Sequence, residues 1–196
     1  EHVKAGQLEP SFKILARVKQ IQKMLFDQWG VLETLTPTEY AQFRGVLGNA
    51  SGFQSAQYRR IEFILGNKDG NALRVFSHDA ETLATLTHEL ESPSLYDEFL
   101  RHLARRGLPV PERAVERDWS KPYEANPELI PVFKQVYETP GDHWDAYEMC
   151  EKLVDVEQQF ALWRFRHLKT VERIIGFKRG TGGSSGVPFL RAAIDT

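Results

Sequence analysis

Residues 142–176 read DHWDAYEMCEKLVDVEQQFALWRFRHLKTVERIIG, and this stretch decides the fold. It holds no proline, and its apolar side chains return every three or four residues, the period of an α-helix. We read one long helix over about 142–176. With His167 at zero and about 100° per residue, Met149, Val156, Phe160, Trp163, Val171 and Ile174 fall within about 40° of it. One histidine therefore stands in the middle of an apolar stripe. Burial there disfavours the imidazolium, so the ring is expected to be neutral, with a lone pair to offer.

Two readings of His167 stay open. It is a core histidine hydrogen-bonded to a neighbour, or it is a metal ligand. A helix-borne zinc pair is excluded, because the positions one turn away are Trp163, Arg164, Thr170 and Val171. A metal that needs a single protein ligand survives. Haem iron is such a metal, and an apolar stripe with aromatics suits a porphyrin face.

Beyond the helix comes Lys178-Arg179, then Gly180-Thr181-Gly182-Gly183-Ser184-Ser185-Gly186. Such a mixture reads as a flexible linker or as a loop whose backbone closes against a ligand. The Walker spacing is absent and a helix precedes the run, which argues against a phosphate site. Thr181 is the one residue here with both a hydroxyl and a stiff β-branched side chain.

Upstream, Phe12, Leu15, Val18, Lys19, Gln22, Leu25, Phe26, Trp29 and Leu32 step at three and four along another helix. Thr36-Pro37-Thr38-Glu39 then reads as a helix start, with Thr36 as cap, Pro37 in the first turn and Glu39 closing a capping box. Tyr40 and Arg44 follow, four apart and on one face. A guanidinium holds a carboxylate through two parallel hydrogen bonds, and a phenol adds a third donor, so this pair can clamp the carboxylate of an amino acid. The plainer reading is a surface arginine beside a half-buried tyrosine.

Gly48-Asn49-Ala50-Ser51-Gly52 breaks the pattern, and a third helix runs from Phe53 to Leu65, stopping at Gly66-Asn67. Stretches 79–91 and 94–106 read as a helix pair hinged at Ser92-Pro93. Residues 107–127, with Pro109, Pro111, Pro122 and Pro127, read as a loop-rich excursion with a short helix. Another helix lies near 127–138, ended by Thr139-Pro140-Gly141-Asp142. No strand pair or repeat emerges, so the class is all-α, one helical domain over residues 1–196.

The remaining candidates are weaker. Glu151, Asp155 and Glu157 form an acidic face, solvated or paired with Arg164. His78, His88, His102 and His143 stand at no metal-ligand spacing and are read as exposed. A net charge of −2 gives no reason to expect nucleic acid or an anionic membrane. No apolar run approaches the roughly 18 residues of a membrane span, and the start is no signal peptide. The single cysteine, Cys150, allows no intrachain disulfide, which fits a reducing cytoplasm.

Three segments resemble a known family. They are TLTPTEYAQFRGVLGNASGFQSAQYRRIEF (34–63), SPSLYDEFLR (92–101) and LVDVEQQFALWRFRHLKTVERIIGFKRGTGGSSGVPFLR (153–191). Together they are similar to the tryptophan 2,3-dioxygenases of bacterial type, and the likeness runs over essentially the whole chain. The resemblance implies an all-helical haem b enzyme with long core helices, ferrous when active and assembled as a homotetramer. It implies L-tryptophan and O2 as substrates and N-formyl-L-kynurenine as product, the first step of the kynurenine route. By it, His167 is the proximal haem ligand, and Tyr40 and Arg44 hold the substrate carboxylate. Thr181 contacts the substrate's ammonium and carboxylate, and Ser51 and Gly52 lie near the haem edge.

The family also carries an N-terminal Phe-x-x-x-His motif on the distal side of the haem. No such motif occurs before residue 34. The chain is therefore expected to lack that segment, with its distal histidine, and to have a shortened C-terminal tail. The alternative function is a helical module that binds an amino acid without haem.

Overall fold

The structure, a computed structural model, describes residues 1–194; the chain's end, where the shortened tail is expected, lies outside them. Among the described residues there are nine α-helices and no strand, as the all-α class requires. They are α1 (Leu8–Leu32), α2 (Pro37–Arg44), α3 (Ala56–Leu65), α4 (Ala80–Glu91), α5 (Leu95–Arg105), α6 (Glu112–Val115), α7 (Ile130–Glu138), α8 (Trp144–Ile174) and α9 (Val187–Ala192). No helix among these residues is long and apolar enough to cross a membrane.

Local chemistry sets the boundaries. At the start of α2 the Thr36 hydroxyl accepts from the Glu39 amide at 3.3 Å, and the Glu39 carboxylate accepts from the Thr36 amide at 2.8 Å. This is the capping box read from the sequence. A second box, Ser94 with Asp97, starts α5 after Ser92-Pro93. Helix α3 begins at Ala56 rather than Phe53, because the Ser55 hydroxyl takes the Tyr58 amide and caps there. Two short elements escape the periodicity. Gly70–Phe76 is a 3-10 turn capped by Asp69, and α9 has Pro188 in its first turn. Both are too short for an amphipathic period to develop.

The chain divides into two compact units. Unit 1 comprises Glu1–Lys13 and Gln54–Glu151. Its core is dense: Phe63, Leu86, Phe99, Leu100, Leu103, Val132, Val136 and Met149 are buried. Some of the polar groups inside it are held by hydrogen bonds, while both ring nitrogens of His102 and the Trp119 Nε1 are buried without one. Asp97 accepts from Arg117 Nε at 2.7 Å and Nη2 at 3.0 Å while also closing its capping box. Buried Lys68 donates to the carbonyls of Glu89 and Ser92, both at 2.7 Å, at the C-terminal end of α4.

One expectation is corrected in this unit. His102 is not exposed; it is 4% accessible, with Asp145 Oδ2 at 3.9 Å from its Nε2. Helix α5 turns it inward beside Phe99 and Leu103. The acidic face of α8 is partly paired and partly solvated: Glu157 is exposed. Glu151 accepts from the Tyr137 hydroxyl at 2.7 Å.

Unit 2 comprises Ile14–Phe53 and Lys152–Thr196, so it holds most of α1 and α8, with α2 and α9. Its buried apolar residues among those described are Leu15, Val156, Leu168, Ile174 and Val187. Polar contacts align its two long helices. Lys19 pairs with Asp155 at 2.7 Å, and Gln22 Nε2 donates to the Val156 carbonyl at 3.0 Å.

Candidate functional site

All six residues singled out in the sequence lie in unit 2. They form two groups. The first is built where α1 meets α8. Phe26, Trp29 and Gly30 on α1, with Glu33 in the turn just past its end, step at three and four, and Trp163, Arg166, His167 and Thr170 do so along α8. The two rows meet side by side. Trp29 lies flat on the His167 imidazole, centroids 4.7 Å apart and planes 20° apart. Trp163 flanks the same ring at 5.4 Å and meets Trp29 edge-on at 5.5 Å. Gly30 makes room for this contact, since a Cβ there would lie 3.3 Å from Arg166 Nη2.

His167 has no hydrogen-bond partner among the described residues, and burial alone pulls its pKa down to about 4. The imidazole is thus neutral at physiological pH, as the apolar stripe predicts. The reading of a core histidine bonded to a neighbour does not fit it. No cluster of three or more metal-ligating side chains exists among the described residues. One neutral imidazole without a protein partner, flanked by indoles, is a donor set that suits a metal needing a single protein ligand. Haem iron fits that description, and a multi-ligand zinc or iron site does not.

The second group joins α2, the turn at 49–52 and the glycine-rich loop. Arg44 donates through Nη2 to the Arg179 carbonyl. Its Nε and Nη1 have no partner among the described residues, so two N–H faces remain for a ligand. Tyr40, one turn earlier, packs edge-on against Phe43 at 5.2 Å. Thr181 Oγ1 donates to the Ala50 carbonyl at 2.5 Å. Ser51 caps the 3-10 turn Gly52–Gln54 by accepting from the Phe53 amide at 3.3 Å.

The loop is closed and pinned, not a free linker. The Gly180 amide donates to the Ser184 carbonyl at 3.1 Å, and the Gly183 amide to the Gly180 carbonyl at 3.1 Å. Two of its glycines are demanded by space. A Cβ on Gly182 would sit 2.3 Å from Ser51 Cβ, and one on Gly186, at φ +72, would sit 2.7 Å from the Lys178 carbonyl oxygen. The loop backbone therefore lies directly on the Ser51 turn. No hydrogen bond or ring contact joins His167 to Tyr40, Arg44 or Thr181.

The sequence did not single out Glu33 or the Ala50 carbonyl. Glu33 breaks the apolar stripe of α1 and so is discounted by hydropathy. Its position seven residues after Phe26 and four after Trp29 is the signal that it shares their face.

The sequence matches known proteins over most of its length. The tryptophan 2,3-dioxygenase family profile matches residues 1–93 and 130–196. The chain is 64% identical over 193 residues to the tryptophan 2,3-dioxygenase of Serratia proteamaculans, covering 98% of this chain and 69% of that protein. It is 64% identical over 194 residues to that of Myxococcus xanthus, covering 99% and 67%. For the Kineococcus radiotolerans protein of the same name the figures are 61% over 193 residues, 98% and 68%. The matched residues include His167, the Tyr40–Arg44 helix and the glycine loop, and the chain belongs to the tryptophan 2,3-dioxygenase family.

Proposed function

We propose that this chain is a haem-dependent tryptophan 2,3-dioxygenase. It adds both atoms of O2 across the C2–C3 bond of the indole of L-tryptophan and opens the ring to N-formyl-L-kynurenine, the entry to the kynurenine route. Both oxygen atoms end in the product, so the net reaction needs no external reductant. The observation that carries the reading is the unpartnered, neutral imidazole of His167 between two indoles. Membership of the family supports it.

In this reading His167 holds haem b, with Ser51 and Gly52 at its edge. Bound ferrous haem supplies the iron that binds O2. The chain's own residues supply position. Arg44 offers two unpaired N–H faces and Tyr40 a hydroxyl, enough to grip the carboxylate of an amino acid. Thr181 adds a hydroxyl toward the ammonium and carboxylate. Gripping one end of the substrate fixes where its indole goes, which removes most of the orientational cost of the reaction. The loop folded on the Ser51 turn keeps water out. A cytoplasmic homotetramer completes the proposal.

An absorption spectrum, oxidised and reduced, with and without L-tryptophan, tests it. A Soret band that shifts on adding tryptophan is expected. A featureless spectrum after hemin is added, in a chain that still melts cooperatively, overturns the haem reading.

A further inference from the structure

Arg166 directly precedes His167, yet its side chain belongs to neither the clamp nor the loop. It reaches α1. Its Nε donates to Glu33 Oε1 at 2.7 Å and its Nη2 to Glu33 Oε2 at 2.9 Å, a fork on both carboxylate oxygens. Its Nη1 donates to the Phe26 carbonyl at 3.1 Å, and the guanidinium lies 4.5 Å over the Phe26 ring. Thr170, one turn along α8, shares its hydroxyl proton between the Arg166 carbonyl at 2.9 Å and Glu33 Oε1 at 3.3 Å. The two charged side chains are only 24% and 29% exposed, so water competes with the fork less than at an open surface.

A bidentate fork fixes a plane and a direction, where a single contact fixes only a distance. Arg166 and His167 are successive residues of one helix. A fork that stops α8 from turning about its axis also fixes the direction in which the His167 side chain leaves it. Trp29 stands on α1 between Phe26 and the helix end, one turn before Glu33. The register that seats the fork therefore also seats the indole flat on the imidazole at 4.7 Å.

We propose that Glu33 and Arg166 are positioning residues for the axial ligand: their fork holds α8 against α1 so that Trp29 sets the plane of the His167 ring. This rests on the haem reading above. Neither residue touches substrate or reacting atoms.

The test uses the haem-loaded chain with Glu33→Gln, Arg166→Lys, the exchanged pair Glu33→Arg with Arg166→Glu, and Lys19→Gln. The last breaks an ion pair between α1 and α8, with Asp155. The readouts are the iron–imidazole stretching band of the reduced, ligand-free protein and the rate of haem transfer to excess apomyoglobin. Glu33→Gln and Arg166→Lys are expected to shift or split the band and to speed transfer about tenfold, the usual scale for a group that orients a metal ligand. Lys19→Gln should leave both readouts unchanged, and the exchanged pair should recover part of the loss.

Unchanged band and rate in both fork variants overturn the proposal, as does an equal effect of Lys19→Gln, which would mean plain helix pairing. His167→Ala, run in parallel, separates the two levels. If it keeps the band, the haem reading itself fails. If it loses the band while the fork variants keep it, only the positioning role fails. Helicity and melting of the haem-free variants expose any that do not fold, and the exchanged pair then decides in place of that single variant.

Discussion

Phe99 and His167 stand at the centres of two differently built regions. Phe99 has no accessible surface, and its unit buries large side chains on α3, α4, α5, α7 and the first turns of α8. Charges inside that unit are held, as Asp97 is by Arg117 and Lys68 by two carbonyls. His167 is half-buried in a unit with few fully buried side chains and many exposed ones. Ile21, Met24, Val31, Val46, Phe165 and Phe177 are each at least half exposed. Buried apolar area is what stabilises a fold, and contiguous exposed apolar area marks where a protein binds something. Unit 1 carries the buried core, and unit 2 carries the more exposed apolar side chains and the residues of the proposed haem and substrate sites.

The sharpest way to break this comparison is His167→Ala. It should remove all bound haem and the Soret band while leaving the haem-free melting curve almost unchanged. No hydrogen bond is lost with the ring, so a large drop in haem-free stability would make His167 a packing residue.

Phe99→Ala should do the opposite. Emptying a fully buried aromatic site costs about 4 kcal/mol, a large share of the usual stability of a domain. Denaturant titration should show that loss, while haem affinity of the folded fraction stays the same.

Acid should act on unit 1 through Asp97. Burial alone would raise its pKa, but hydrogen bonds from Arg117 and Ser94 outweigh that and hold it below the ordinary value. The unfolded chain, with its carboxyl near about 3.9, therefore takes up the proton first as pH falls. The stability Asp97 contributes is complete above that value and is lost as pH drops through the folded pKa. Asp97→Asn should cost about 3 kcal/mol at pH 7, because it leaves the Arg117 charge half-buried and unpaired. It should also flatten the fall of stability between roughly pH 5 and 3. Melts across that range check both; an unchanged slope would mean other carboxyls carry the acid response.

A subtler contrast lies inside unit 2. Gly182→Ala drives a methyl into Ser51 and should lift the loop from its turn. Tryptophan affinity should fall about tenfold, the order of one lost polar contact, with the haem spectrum intact. An unchanged affinity would detach the loop from the substrate.

Most of the helices were legible because their signals are local. The capping box at Thr36, the stop at Gly66 and the period of α8 need no tertiary information. The apolar setting of His167 was legible too, since one helix face carries it. What stayed hidden depends on a second element. His102 reads as an ordinary polar position until α5 turns it inward. Glu33 reads as a break in a stripe until Arg166 arrives from α8. Likewise, glycine and serine between 180 and 186 spell a linker until Ser51 comes within reach of Gly182.

Tyr40→Phe is expected to be as mild as Gly182→Ala. The hydroxyl of Tyr40 has no partner among the described residues, whereas Arg44 already spends one nitrogen on the Arg179 carbonyl. If the two share a carboxylate, removing the hydroxyl deletes one hydrogen bond to a charged group and leaves the ring against Phe43. Such a bond is worth about 1.5 kcal/mol, or roughly tenfold in KM for tryptophan, with kcat moved less. Indole, which has no carboxylate, should not distinguish the variant from the parent chain. Equal losses for tryptophan and indole would mean that Tyr40 shapes the pocket wall and that Arg44 grips the carboxylate without it.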